Sequence, residues 1–466
     1  MSWIHDPTLI RGLYIIAFAL FIYGLSGLTG PRTAVRGNLI ASVGMGIAVL
    51  ATLLTKNLGN WWLIVLGVLI GTVIGVPAAR RVKMTAMPQR GALFNGVGGG
   101  AVALIAWVEF RDGNGFAGEA GYVVIGSLFA AIVGSVSFWG SAIAFGKLQE
   151  ILPGKPISAR RLQQPLNLLA FLVAVACAVA IGLGGSSELL IIGLLVAAGL
   201  LGILMVLPIG GADMPVVISL LNALTGLSAA ATGIALNNTA LIVAGMIVGA
   251  SGSILTNLMA KAMNRSIPAI VAGGFGGGTA VSSSAGAEDR TARSTSAADA
   301  AIQLAYGSKV VVVPGYGMAV AQAQHAVNEM ATLLAGKGIS VSYAIHPVAG
   351  RMPGHMNVLL AEADVPYEAL KEMDEINGEF AQTDVALVIG ANDVTNPAAE
   401  SEPGSPIYGM PILKVADSRA IIVLKRSMSP GFAGIGNELY FNEKTAMVFG
   451  DAKTSVQEIV EELKTL

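Results

Sequence analysis

The chain changes character near residue 265. About 260 residues of almost uninterrupted apolar sequence give way, past a Gly/Ser-rich stretch, to a segment in which strand and helix patterns alternate. That break demands a membrane-embedded part joined to a soluble part. Hydrophobic residues make up 54% of the 466 and charged residues only 12%, with a mean hydropathy of +0.69, too apolar for a soluble globular protein. Nine apolar runs lie at 10–28, 36–55, 61–78, 91–109, 121–146, 165–184, 188–207, 212–235 and 239–260. Each is close to the ~20 residues that carry a helix across ~30 Å of hydrocarbon. The first run is flanked by Asp6 and Arg11 with no cleavage pattern after it, so a spanning helix is expected there rather than a signal peptide.

With nine spans, Arg32, Arg36, Arg80, Arg81, Lys83, Arg90, Lys147, Lys155, Arg160, Arg161, Lys261 and Arg265 all fall on one side. The opposite loops hold only Lys56 and Arg111, beside Asp112, Glu119 and Glu188. The positive-inside rule then puts the N-terminus outside and the soluble domain in the cytoplasm. The net charge of -1 selects no partner, and no basic, aromatic-interleaved patch points to nucleic acid. Cys177 is the only cysteine, which excludes an internal disulfide, and it reads as a small buried side chain. No metal site is expected. Frequent glycines, as in Gly96 to Gly100 and from Gly134 to Gly140, predict a tightly packed bundle. The stretch Gly273 to Ala300 lacks apolar periodicity and reads as a flexible linker. The expected boundaries are a membrane domain at 1–265, a linker at 266–305 and a soluble domain at 306–466.

Asp213, in Gly210-Gly211-Ala212-Asp213-Met214-Pro215, opens the eighth run, where a carboxylate is costly unless paired, hydrated or at the interface. It reads either as a cap at the positive end of that helix or as a coupling group. Asn222 lies nine residues deeper on roughly the same face. Asn95 and Ser141 occupy comparable depths in the fourth and fifth runs. All three read as interhelical hydrogen-bonding groups or as parts of a conduit. None of the four histidines, His5, His325, His346 and His355, lies in a run. Any membrane group titrating near neutral pH is therefore a shifted Asp213 or belongs to another subunit.

From Lys309 the pattern is strand, glycine turn, helix: Val310 to Val313, then Gly315-Tyr316-Gly317, then a helix from Met318 to about Ala335. Further strands are expected at 339–345, 384–389, 411–415, 420–424 and 446–449, giving a parallel doubly wound sheet of the Rossmann type. Gly315 and Gly317 match the first two glycines of a dinucleotide fingerprint, with Val320 in place of the third. Such a turn brings helix N-terminal N–H groups to a pyrophosphate. The second strand ends at Ala344-Ile345-His346-Pro347 with no acid for a ribose 2′-hydroxyl, so a 2′-phosphate is favoured. Arg351 and the group Lys425-Arg426-Ser427 are the cations to meet it, the latter otherwise a solvated strand end. The loop Gly390 to Pro397 follows a strand at the ligand-binding edge, and its Asp393 suits a ribose, a nicotinamide amide or a helix N-terminus.

Gly210 to Val217, Lys261 to Ser266, Pro314 to Gln324, His346 to Pro353, Gly390 to Pro397 and Lys425 to Met428 together resemble the β subunit of proton-translocating NAD(P) transhydrogenase over nearly the whole length. The resemblance implies NADP(H) on this chain, bound in inverted orientation, NAD(H) on a partner α subunit, and an α2β2 assembly in the bacterial cytoplasmic (inner) membrane. It implies an enzyme of the Si-specific/Re-type class, active only with that partner. It also implies that Tyr316, Val348, Ala349, Gly350, Arg351, Met352, Pro353, Gly390, Ala391, Asn392, Asp393, Val394, Gly409, Met410, Lys425, Arg426, Ser427, Met428, Ser429, Pro430, Gly431, Phe432, Asp451 and Ala452 contact NADP(H). Lys425 to Ser427 then hold the 2′-phosphate, Arg351 the pyrophosphate, and Ser427 to Gly434 close as a lid. Asp393 sits near the nicotinamide. Asn95 stands where some members have a histidine implicated in proton conduction, and Phe432 where a tyrosine is common. A transporter or channel with an NADP(H)-sensing domain is the alternative from another class.

Overall fold

The computed structural model describes residues 6–466 except 29, 30, 57, 83–85, 154, 155, 265, 269–290, 352, 353, 406 and 432. His5, Lys83, Lys155, Arg265, Met352, Pro353, Phe432 and most of the expected linker lie outside the described residues. The chain divides into two compact units, Met1–Lys83 with Gln89–Ile209 and Val217–Leu255, and Met84–Pro88 with Gly210–Val216 and Thr256–Leu466.

Every expected span is a helix: α1 (Pro7–Gly27), α2 (Pro31–Leu53), α3 (Trp61–Arg80), α4 (Met87–Asp112), α5 (Gly121–Leu148), α6 (Gln163–Gly182), α7 (Glu188–Val206), α8 (Met214–Ala235) and α9 (Thr239–Ala262). All nine are long and apolar enough to cross a membrane. Asp6 starts the first by accepting the Thr8 N–H at 2.9 Å, ahead of Pro7 at the first helical position. Glycines bring the helices into backbone contact. A Cβ on Gly134 in α5 would meet Gly99 O of α4 at 2.6 Å, and one on Gly202 in α7 would meet Val136 O of α5 at 2.4 Å. Without a hydrophobic drive in lipid, such close approach supplies the packing energy. The carbonyls of the last turn of α7 and just past it need partners. Buried Lys147 donates to Leu207 O and, at 2.6 Å, to Ile209 O, while Gln163 Nε2 donates to Leu204 O at 2.7 Å.

The soluble part holds six parallel strands, β1 (Lys309–Pro314), β2 (Ser340–Ile345), β3 (Leu370–Glu372), β4 (Val385–Ile389), β5 (Ala420–Lys425) and β6 (Thr445–Phe449). Their order is β3-β2-β1-β4-β5-β6. Val310 to Val313 of β1 are fully buried, as a central parallel strand covered on both faces requires. One face is covered by α10 (Ala297–Ala305), α11 (Tyr316–Ala321), α12 (Gln324–Gly336), α13 (His355–Glu362) and the C-terminal α14 (Ala452–Thr465). Helix α10 lies within the span expected as linker. Ser296 caps it by accepting the Asp299 N–H at 3.1 Å, and Ala300, Ala301 and Leu304 are buried.

Two expectations for this part need correction. The helix after the glycine turn is not continuous from 318 to 335, because Gln322 turns left-handed at φ 52 and Ala323 N–H closes back on Met318 O at 3.1 Å. Residues 411–415 are not a strand, although Ile412, Leu413 and Val415 are buried. Their backbone groups are satisfied by side chains and a loop: Asn377 Nδ2 donates to Ile412 O, Asn377 Oδ1 accepts Lys414 N–H, and Leu413 N–H reaches Val394 O.

Candidate functional site

Between β1 and β4 the order of strand addition reverses, and the turns after these two strands cross there. Gly315 N–H donates to Ile389 O and Gly317 N–H to Gly390 O, both at 2.9 Å. A Cβ on Gly315 would meet Ala391 Cα, Ala391 N and Gly390 O at 2.4 Å. The fingerprint glycines thus let two backbones touch, and their N–H groups are committed to the β4 turn instead of facing a pyrophosphate. Val320, at the third-glycine position, is exposed on α11, so no close helix packing calls for glycine there.

Beyond β2, two imidazoles brace the arm that carries Arg351. His346 Nδ1 accepts Val348 N–H at 3.2 Å while its Nε2 bonds Pro411 O at 2.8 Å. His355 Nδ1 accepts Arg351 N–H at 3.1 Å. Gly350, at φ +107, is required twice: by its conformation and because a Cβ would meet His355 Nδ1 at 2.4 Å. Burial disfavours the imidazolium of both, and the neighbouring Arg351 adds to this at His355, whose pKa falls to about 4. Arg351 Cζ lies 4.4 Å from the centroid of the Tyr316 ring, a cation–π contact that aims its planar fork. Val348 is half-buried and Ala349 buried on the same arm.

The loop Gly390 to Pro397 is held from two sides. Asp393 Oδ2 accepts Ala433 N–H at 3.1 Å, and Gly431 sits so near that a Cβ there would meet Asn392 Nδ2 at 2.6 Å and Asp393 Oδ1 at 2.7 Å. Behind, Asn437 Nδ2 donates to Asn392 O at 3.0 Å, Asn396 Nδ2 donates to Gly436 O at 2.9 Å, and Tyr440 Oη lies within bonding distance of Ala391 O and Asn392 Oδ1. Val394 is buried within the loop. Lys425, half-buried at the end of β5, donates to Ser429 O and places its ammonium 5.5 Å from the Tyr440 ring centroid. Burial lowers its pKa, and Asp393 works against that. Arg426, Ser427, Met428, Ser429 and Pro430 are exposed beside it, with Ser427 Oγ 2.9 Å from Ser429 Oγ. The elements around the switch point therefore supply two arginines, a lysine, two hydroxyls and an acid, and Asn392 Nδ2 is a buried donor with no hydrogen-bond partner among the described residues. That set fits a phosphorylated dinucleotide: cations for phosphates, a spare N–H for a carbonyl or ribose oxygen.

Other expected contacts serve local structure as well. Gly409 takes φ +77, Met410 is buried, and Asp451 caps α14 by accepting Lys453 N–H at 3.1 Å ahead of buried Ala452. In the membrane part, Asn95 Nδ2 donates to Ser141 Oγ at 2.9 Å and lies 3.3 Å from Ser137 Oγ, which is 2.5 Å from Thr225 Oγ1. A chain of amide and hydroxyls so links α4, α5 and α8, with half-buried Asn222 on α8. Asp213 ends a short turn, Gly211–Asp213, at the N-terminus of α8, where the helix dipole favours a carboxylate. Ser137, Thr225, Asn437 and Tyr440 were not anticipated. Of these only Asn437 carried a signal, as an Asn opening a helical turn just before an acid.

A family model described as NAD(P) transhydrogenase beta subunit matches residues 10–462. Two curated Rhodospirillum rubrum proteins named NAD(P) transhydrogenase subunit beta are each 49% identical over 460 residues, covering 97% of this chain and 99% of the relative. A match over almost the full length, through both the nine membrane helices and the parallel sheet, leaves one conclusion: the chain belongs to the NAD(P) transhydrogenase beta subunit family.

Proposed function

We propose that this chain binds NADP(H) at the β1/β4 switch point and works with a partner α subunit carrying NAD(H), in an α2β2 assembly that couples hydride transfer to proton passage into the cytoplasm. The observation that carries the reading is the crossing of the β1 and β4 turns at Gly315 and Ala391, with Lys425 and Arg351 at the same sheet edge. Lys425 with Arg426 and Ser427 holds the 2′-phosphate, Arg351 the pyrophosphate, and residues 427–434 cover the site. With the fingerprint N–H groups committed to β4, phosphate recognition falls to these side chains, in keeping with an inverted mode of binding.

Bound NADP(H) supplies the hydride-exchanging nicotinamide ring. The chain's own residues position it and exclude water, since hydride transfer itself needs no acid or base. Coupling requires protonation to change the relative affinity for the two redox forms. Asp393, Asp213, Asn222, Asn95 and Ser141 are the residues assigned to it. The chain is organised as a proton-translocating domain at 1–265, a linker at 266–305 and a nucleotide domain at 306–466, with the N-terminus outside and the nucleotide domain in the cytoplasm, in the inner membrane.

The test is NADH-to-NADP⁺ hydride transfer in sealed vesicles holding this chain with and without its partner, read together with internal pH. Partner-dependent transfer that moves protons is expected. Tight NADP(H) binding without transfer in either preparation would replace the reading with a nucleotide-sensing transporter.

A further inference from the structure

Tyr440 belongs to no part of the site assigned above, yet it is 2% exposed and reaches the core of the 390–396 loop. Its hydroxyl lies 2.8 Å from Asn392 Oδ1 and 3.1 Å from Ala391 O. A phenol has one proton to donate, and the shorter contact is to the amide. Tying Oδ1 down turns the other end of that amide toward Gly431, where Nδ2 is buried with no partner among the described residues. The Asp393 carboxylate lies against the same glycine. A fixed N–H donor and a carboxylate acceptor therefore stand side by side, and the donor's orientation depends on the Tyr440 side chain. Asn437 cannot fix it, since its amide holds the Asn392 backbone carbonyl at 3.0 Å and not the side chain.

We propose that Tyr440 is a positioning residue: its hydroxyl sets the orientation of the Asn392 amide, which in turn contacts the nicotinamide half of NADP(H). This rests on the reading of the 390–394 loop as part of the NADP(H) site. The ring has a separate place, 5.5 Å from the Lys425 ammonium. Removing the oxygen alone therefore leaves the 2′-phosphate end of the site intact.

Tyr440→Phe, Asn392→Ala and the double variant of the intact chain, assembled with its partner, should be titrated with NADP⁺ and with 2′,5′-ADP, which lacks the nicotinamide half. Tyr440→Phe is expected to weaken NADP⁺ about five- to tenfold, the size of one lost hydrogen bond, and to leave 2′,5′-ADP unchanged. In the Asn392→Ala background the same change should cost nothing more, because the two residues act in series. Equal weakening of both ligands, or additive losses in the double variant, would make Tyr440 a structural residue only and overturn the proposal. Unchanged NADP⁺ binding in Asn392→Ala would instead remove the loop itself from the site, and this role with it.

Discussion

Gly315→Ala asks the most of the switch point. The added Cβ would stand 2.4 Å from Ala391 Cα, Ala391 N and Gly390 O, whereas ordinary contact begins at 3.4 Å, a shortfall of 3.4 − 2.4 = 1.0 Å. All three atoms are backbone, so no rotamer change relieves the clash. The turns after β1 and β4 must separate, and a shift of that size takes the 2.9 Å bonds from Gly315 N–H and Gly317 N–H out of hydrogen-bonding range. Overpacking costs about 1–3 kcal/mol and each lost bond about 0.5–1.5 kcal/mol. Their sum, roughly 2–6 kcal/mol, lowers the melting point of a domain this size by at least about 4 °C. Calorimetry on the intact chain is the assay, because all five tryptophans lie at or before residue 139 and fluorescence reports only the membrane part. Gly336→Ala is the control, its added methyl meeting nothing within 4 Å. Gly315→Ala melting with Gly336→Ala, and binding NADP⁺ as tightly, would refute the idea that backbone crossing dictates this glycine.

Three further outcomes are expected. Because burial holds His346 and His355 neutral, the latter to about pH 4, the unfolded chain takes up protons near pH 6.5 when the folded one does not. Stability should be full above about pH 7 and fall as pH drops below about 6.5, with His355 alone contributing up to about 3 kcal/mol of the loss by pH 4; a calorimetric midpoint flat across that window contradicts it. Lys425→Ala should weaken NADP⁺ and 2′,5′-ADP alike, by about tenfold or more for a lost charge-assisted bond, and a loss confined to NADP⁺ would move the lysine off the 2′-phosphate. Asp213→Asn should abolish proton-coupled turnover while NADP⁺ binding persists, and unchanged coupled turnover in vesicles would remove Asp213 from the coupling machinery.

The nine helices were legible because each is a long run with a single demand, to satisfy its backbone in lipid. The sheet was legible where strands are central: Val310 to Val313 and Val385 to Ile389 are buried on both faces and so are continuously apolar. Strand β3 was not, since Leu370-Lys371-Glu372 is an edge of three residues with two charges and no period to read. Residues 411–415 misled for the converse reason. Burial made them apolar, but Pro411 brings no N–H, Ile412, Leu413 and Lys414 bond to Asn377 and the 391–396 loop, and Val415 N–H turns back on Leu413 O. In the site, residues that present charge at strand ends stood out, whereas those that hold them did not. Tyr440 and His346 act on atoms far away in sequence, and spacing carries no trace of contacts across 48 and 65 residues.

The two holds on the 390–396 loop differ in a way that bears on coupling. Behind it, side-chain contacts from Asn396, Asn437 and Tyr440 tie Ala391, Asn392, Thr395 and Asn396 to the 436–440 segment, the Tyr440 proton being shared between two acceptors. In front, Ala433 N–H reaches Asp393 Oδ2 from a segment whose residues 426–430 are exposed. Between them stand Gly434, at φ +73, and Gly436, each with open space around it. A single part-buried bond next to a permissive backbone opens at lower cost than several bonds that must break together. Closure of the lid, as proposed, would therefore turn near Gly434 and leave the loop and the Asn392 amide where Tyr440 holds them. Asp393 is common to both states: its carboxylate accepts the front bond, and its charge acts on Lys425. Protonating it would remove an acceptor for Ala433 and an opposing charge for Lys425 together. Under the proposed function, a single proton there would bias closure and phosphate binding in one step, the differential affinity that coupling requires.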